Sequence, residues 1–115
     1  MLTYANGVHY AAMLFIETPT FTRLIVTLLE DDEYSKLQDE LVMRPNAGDL
    51  IKDGGGIRKL RWKRAGTGKR GGIRVIYYWL TEDEQILMLL AYPKNLKDNL
   101  IDQETALLRK LVKEL

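Results

Sequence analysis

The residues between Lys52 and Arg74 are the part of this chain best equipped for chemistry. Nine bases fall there (Lys52, Arg58, Lys59, Arg61, Lys63, Arg64, Lys69, Arg70 and Arg74) against one acid, Asp53, a local charge of +8. The whole chain of 115 residues is only +1, so everything outside this segment carries −7. A nearly neutral protein that separates its charge in this way offers one positive surface to a polyanion. Within the segment, IRKLRWKRAGTGKRGGIRVIYYW adds a glycine-rich hairpin and several aromatic residues to the bases. Clustered cations hold phosphates, and aromatic rings beside them can stack on bases. RNA is therefore the first partner the residues suggest.

Other chemistries are poorly supplied. The chain has no cysteine, which excludes a disulfide scaffold, a zinc-thiolate site and a cysteine nucleophile together. His9 is the single histidine, so a multi-histidine metal site is excluded and a Ser-His-Asp triad would depend on that one residue. The run AGTGKRGG contains the Gly-Thr-Gly-Lys of a phosphate-binding loop but not the rest of it. Lys63 stands where the first glycine belongs, Arg70 replaces the Ser or Thr, and a strand rather than a helix follows. Glu82, Asp83 and Glu84 read as a solvated turn rather than an acid/base pair. No cofactor or metal is expected.

The elements that must position the bases follow from periodicity. Leu14 to Glu17 reads as a short strand, and Thr18-Pro19 as a helix cap with proline in the first turn. Phe21, Leu24, Ile25, Leu28 and Leu29 then fall on one helical stripe. The acidic run Glu30 to Glu33 suits the positive end of a second helix, in which Tyr34, Leu37 and Leu41 share a face until Arg44-Pro45 stops it. After the turn chemistry of Asn46 to Asp49 and the break at Gly54 to Gly56, three strands are expected, over 57–62, 73–80 and 85–92.

In the first of these, Leu60 and Trp62 alternate with Lys59 and Arg61, so one face should pack while the other shows cations to solvent. Tyr77 and Trp79 point one way, and Tyr78 the other way with Ile76 and Arg74. Tyr92, at the end of the next strand, could stack on a base. Asp102 is expected to cap a last helix with an apolar stripe of Leu107, Leu108, Leu111, Val112 and Leu115. The predicted class is α+β: a small antiparallel sheet of about four strands, an N-terminal αα-hairpin packed on one face, and a C-terminal helix.

The length fits one domain. Residues 1–12 read as an N-terminal extension, with Met13 a second candidate start, and residues 13–115 as the domain. The apolar runs are too short to cross a bilayer, and a cytoplasmic location is expected.

The run GDLIKDGGGIRKLRWKRAGTGKRGGIRVIYYWL, followed by LLAYPKNL, resembles the HigB-like branch of the RelE/ParE superfamily of bacterial toxins. So do FIETPTF and DDEYSKLQDELVMRPNAGDLI, and the likeness spans about residues 14 to 101. It implies the RelE-like fold and the toxin of a type II toxin-antitoxin pair. It also implies a metal-independent endoribonuclease that enters the ribosomal A site and cleaves mRNA by 2′-OH attack on the neighbouring phosphate. The cognate antitoxin would be a helix-turn-helix protein. Carried over by position, Lys59 or Arg61 would activate the 2′-OH and Arg74 would brace the phosphate. Lys94, with Tyr92, would assist the leaving group, while Arg58, Lys63, Lys69 and Arg70 would grip RNA. Pro93-Lys94-Asn95 stands where many RelE toxins carry an arginine. The competing expectations are a ParE-type toxin aimed at gyrase and a non-catalytic RNA-binding module.

Overall fold

The structure, a computed structural model, describes residues 3–4, 13–64 and 71–115. The extension over 1–12 therefore lies outside the described residues apart from Thr3–Tyr4, as do His9, Lys69 and Arg70. The elements run β1 (Thr3–Tyr4), β2 (Leu14–Glu17), α1 (Pro19–Leu28), α2 (Asp31–Met43), β3 (Asp49–Leu50), β4 (Arg58–Trp62), β5 (Ile73–Leu80), β6 (Gln85–Pro93) and α3 (Asp102–Lys113). They form one sheet in the order β1-β2-β6-β5-β4-β3 with helices on both faces, the α+β class expected. Most pairs are antiparallel, but β2 runs parallel to β6 over Gln85–Met88. No described helix is long and apolar enough to cross a membrane.

The local signals act as their chemistry requires. Thr18 caps α1 by accepting from the Phe21 N–H at 3.0 Å, with Pro19 in the first turn. The same hydroxyl donates to Leu89 O at 2.9 Å, and the Thr18 N–H donates to Met88 O at 3.0 Å, so the cap also ties the helix to β6. The acidic turn Asp31 to Glu33 starts α2. Phe21, Ile25, Leu37 and Leu41 close over Phe15, Leu60, Val75, Tyr77 and Met88 in the larger core. Glu17 is buried beneath this hairpin, where its carboxylate accepts from Thr22 Oγ1 at 2.6 Å and the Tyr34 hydroxyl at 2.5 Å.

A second, smaller core lies on the opposite face, where Val112 of α3 meets Ile57, Ile76, Leu87, Leu89 and Tyr92. Two expectations about α3 need correction. Asp102 is the first helical residue rather than the cap: Ile101 precedes it in extended conformation, its N–H donating to Glu104 Oε1 at 2.9 Å. The stripe also splits. Val112 and Leu108 face the sheet, while Leu107, Leu111 and Leu115 stay exposed, because α3 covers only a narrow band of the sheet along one line of its surface.

A bulge governs which side chains reach the second face. Tyr77 pairs with Met88 and Ile76 with Leu90, leaving Leu89 as an extra residue in β6. One added residue reverses the alternation beyond it. Tyr92 thus comes opposite Arg74, on the face of α3, rather than on the side of Ile86 and Met88.

Candidate nucleic-acid interface

β4 and β5 are paired so that Arg61 lies opposite Arg74 and Lys59 opposite Ile76. Their alternation sends Leu60, Val75 and Tyr77 into the hairpin core and the bases to the other face. That face is not open. α3 and the segment before it cover part of it, so Lys59 is 8 % exposed and Arg74 6 %, against the solvent-facing placement expected for both. Arg61 is exposed and donates to Asp49 Oδ2 at 2.7 Å.

Where this cover stops, a cleft of about 600 Å³ opens, lined by Arg61, Trp62, Lys63, Arg64, Gly72, Arg74 and Lys94. Five bases and the half-buried Trp62 indole share one concave surface. Lys94 reaches it because its N–H donates to Gly72 O at 2.9 Å, stitching the end of β6 to the start of β5. The Arg64 Nε–H donates to Gly71 O, drawing the two feet of the hairpin together. Such a site can place several positive charges around a phosphodiester. Among the described residues, no three His, Cys, Asp or Glu side chains gather as a metal site would require.

Lys59 stands beside this cleft rather than in its lining, in a smaller hollow with Asp49, Lys52, Arg61 and Asn99. Its Nζ donates to Asp98 O at 3.3 Å and to Asn99 Oδ1. Burial first, and the Arg61 charge second, hold its ammonium below the usual lysine range. Tyr92 is buried, with its hydroxyl 3.5 Å from Asp98 O and Lys97 Nζ 5.0 Å from its ring centroid. Burial and the Glu104 charge push the phenol up to about 12. Arg58 points to the opposite face from Lys59 and donates to Gly48 O at 2.8 Å, away from the cleft. The structure thus brings Arg61, Lys63, Arg74 and Lys94 together. It sets Lys59 and Tyr92 behind them and leaves Arg58 apart.

The family model described as RelE toxin of the RelE / RelB toxin-antitoxin system matches residues 22–115. The chain belongs to the RelE toxin family. This toxin is accordingly one half of a toxin–antitoxin pair.

Sequence reasoning counted Arg64 among the bases without giving it a role, and it passed over Asp98 and Asn99 entirely. Asp98 Oδ1 accepts from Arg74 Nε at 2.8 Å and lies 2.6 Å from Arg74 Nη2 in an ion pair. That hydrogen bond holds the Asp98 carboxyl below the usual carboxylate range. The available signal was charge: an acid and an amide follow a strand that ends beside a +8 cluster, and buried cations need such partners.

Proposed function

We propose that this toxin is a ribosome-dependent mRNA endoribonuclease of the HigB-like branch, acting in the cytoplasm and held in check by an antitoxin with a helix-turn-helix domain. The observation that carries the reading is the convergence of Arg61, Lys63, Arg64, Arg74 and Lys94 on one open cleft with an aromatic wall. A transesterification at phosphorus needs little else: charge to offset the developing oxyanion, a group to take the 2′ proton and a group to supply the 5′ oxygen. The 2′-O–P bond forms and the P–O5′ bond breaks, leaving a cyclic phosphate and a 5′-OH.

In this scheme Arg74 braces the scissile phosphate and Arg61, always charged, adds to that field. Lys59 is the member of the Lys59/Arg61 pair whose proton is already loosened, so it takes the 2′ proton, directly or through one water. Lys94, exposed on the far wall, protonates the leaving oxygen. Tyr92 supports the floor and stays protonated. Lys63 and Arg64 grip the RNA backbone, while Arg58 serves the loop beneath. Lys69 and Arg70, at the hairpin tip by sequence, extend the grip.

Mapping of mRNA 5′ ends after brief expression in bacteria, comparing wild type with Arg74→Ala, tests the reading. Loss of one preorganised donor to a developing anion costs about 100- to 1,000-fold in rate, so cuts in translated frames should vanish in the variant while its circular dichroism stays native. Undiminished cutting by folded Arg74→Ala would sink the assignment. Growth arrest with no cuts by the wild type would redirect the search to gyrase.

A further inference from the structure

Arg74 has more donors than the cleft alone can use. A guanidinium carries five N–H groups. Nε donates to Asp98 Oδ1 at 2.8 Å, Nη2 lies 2.6 Å from the same oxygen in an ion pair, and Nη1 donates to Ile73 O at 3.3 Å. The other N–H groups, on Nη1 and Nη2, make no hydrogen bond among the described residues. Nη1 lies 3.8 Å from where a Cβ on Gly72 would stand, and Lys94 Cδ lies equally close to that point, so this end of the fork faces the cleft. Asp98 does not line the cleft; it holds the guanidinium from the α3 side, with its own side chain 52 % exposed.

We propose that Asp98 is a positioning residue for the cleavage reaction: its carboxylate fixes the Arg74 fork from behind, so that the terminal N–H groups meet the scissile phosphate in one direction. The inference rests on the endoribonuclease reading and adds to it the residue that orients the phosphate brace. The same turn sets the second cation, because Asp98 O and Asn99 Oδ1 both accept from Lys59 Nζ. One short segment between β6 and α3 thereby fixes the spacing of Lys59 and Arg74, which repel each other and would otherwise splay. A long arginine side chain left free must be ordered at each encounter with substrate, and a fork already fixed avoids that cost. Had Asp98 stood between Arg74 and the cleft it would compete with phosphate, but it bonds the side of the guanidinium turned away from Gly72 and Lys94.

The test compares wild type, Asp98→Ala and Asp98→Asn as full chains in a reconstituted translation reaction, together with the Arg74 Nε–H resonance in each. Misplacing one catalytic contact costs about 100-fold, so Asp98→Ala should lose that much of the maximal cleavage rate with its half-saturating concentration unchanged. Asp98→Asn keeps the Oδ1 acceptor without the charge and should fall between. The Arg74 Nε–H signal, protected from exchange in wild type, should broaden away in Asp98→Ala while the backbone amide spectrum stays native. Cleavage by Asp98→Ala at or above the wild-type rate overturns the proposal, a faster rate marking Asp98 as a competitor of the phosphate. A protected Arg74 signal persisting in Asp98→Ala overturns it as well. If wild type cleaves nothing, the endoribonuclease reading falls, and the resonance still decides whether Asp98 holds the fork.

Discussion

The two faces of one sheet differ in what the same strands offer them: an apolar core on one side and a cluster of cations on the other. β4 and β5 send Leu60, Val75 and Tyr77 to a face fully roofed by α1 and α2, and Lys59, Arg61 and Arg74 to a face only partly roofed by α3. On the first side the large buried groups are mainly apolar, and the Tyr77 hydroxyl and the Glu17 carboxylate among them are hydrogen-bonded. On the second the cover ends at the Asp98–Ile101 segment, and the cations begin where the cover ends. A dry roof over the bases would have cost far more than it returned, since buried charge needs a partner for each group. The protein buries and tethers the two deepest bases, Lys59 and Arg74, and leaves Lys63 and Lys94 exposed in the cleft.

The sharpest way to break the comparison is to empty the roofed face. Leu37 is fully buried, so Leu37→Ala should cost about 2–5 kcal/mol in chemical denaturation while the folded fraction cleaves at the wild-type rate. A rate loss per folded molecule would mean that the two faces are not separable.

A smaller effect is expected at the polar anchor of the same face. The Tyr77 hydroxyl donates to Pro45 O at 2.6 Å and accepts from the Gly48 N–H at 2.9 Å. Gly48 has no room for a side chain there, since a Cβ would come within 2.9 Å of the Tyr77 ring. Tyr77→Phe leaves both backbone groups without that partner and should cost roughly 1–3 kcal/mol by the same denaturation measurement. No change would show the loop to be held by other contacts.

On the partly roofed face the effects are electrostatic and finer. Lys63→Ala removes an exposed base from the cleft, and the salt dependence of RNA binding should flatten by about 0.7 in log–log slope. Lys36→Ala, exposed on α2, is the matching control and should leave the slope alone. Equal effects at both positions would remove the distinction between the faces for RNA.

Tyr92 gives the mildest test. Its folded pKa of about 12 lies above the ordinary value of 10.0, so the folded state keeps the proton longer. Its contribution to stability is present below pH 10.0 and is lost as pH rises through about 12. The ultraviolet difference titration between wild type and Tyr92→Phe should therefore show a phenol ionising near 12. A midpoint near 10.0 would place Tyr92 in water and reopen its use as a stacking platform.

Most of the fold was legible in the residues because its determinants are local. Thr18-Pro19 starts a helix by cap geometry, Glu30 to Glu33 by charge at a helix dipole, and Pro45 ends one by steric exclusion; none needs a distant partner to act. The strands around the bases announce themselves by β-branched and aromatic residues. The charge cluster pointed to RNA for the same reason, since net charge is a sum and needs no coordinates.

Other features required the assembled molecule. The bulge at Leu89 carries Tyr92 to the face of Arg74, and its registration depends on the pairing with β5 and on the Thr18 hydroxyl that takes the Leu89 carbonyl. α3 buries Val112 and leaves Leu107 exposed because the width of the sheet, not the periodicity of the helix, decides how much of a stripe is covered. Asp98 meets Arg74 across 24 residues of sequence, so no spacing rule could pair them. The sequence by itself determined which residues are cationic and which elements carry them. Tertiary structure alone decided which cations share a cleft and which are tethered, because sidedness and long-range partners arise only when strands register against one another.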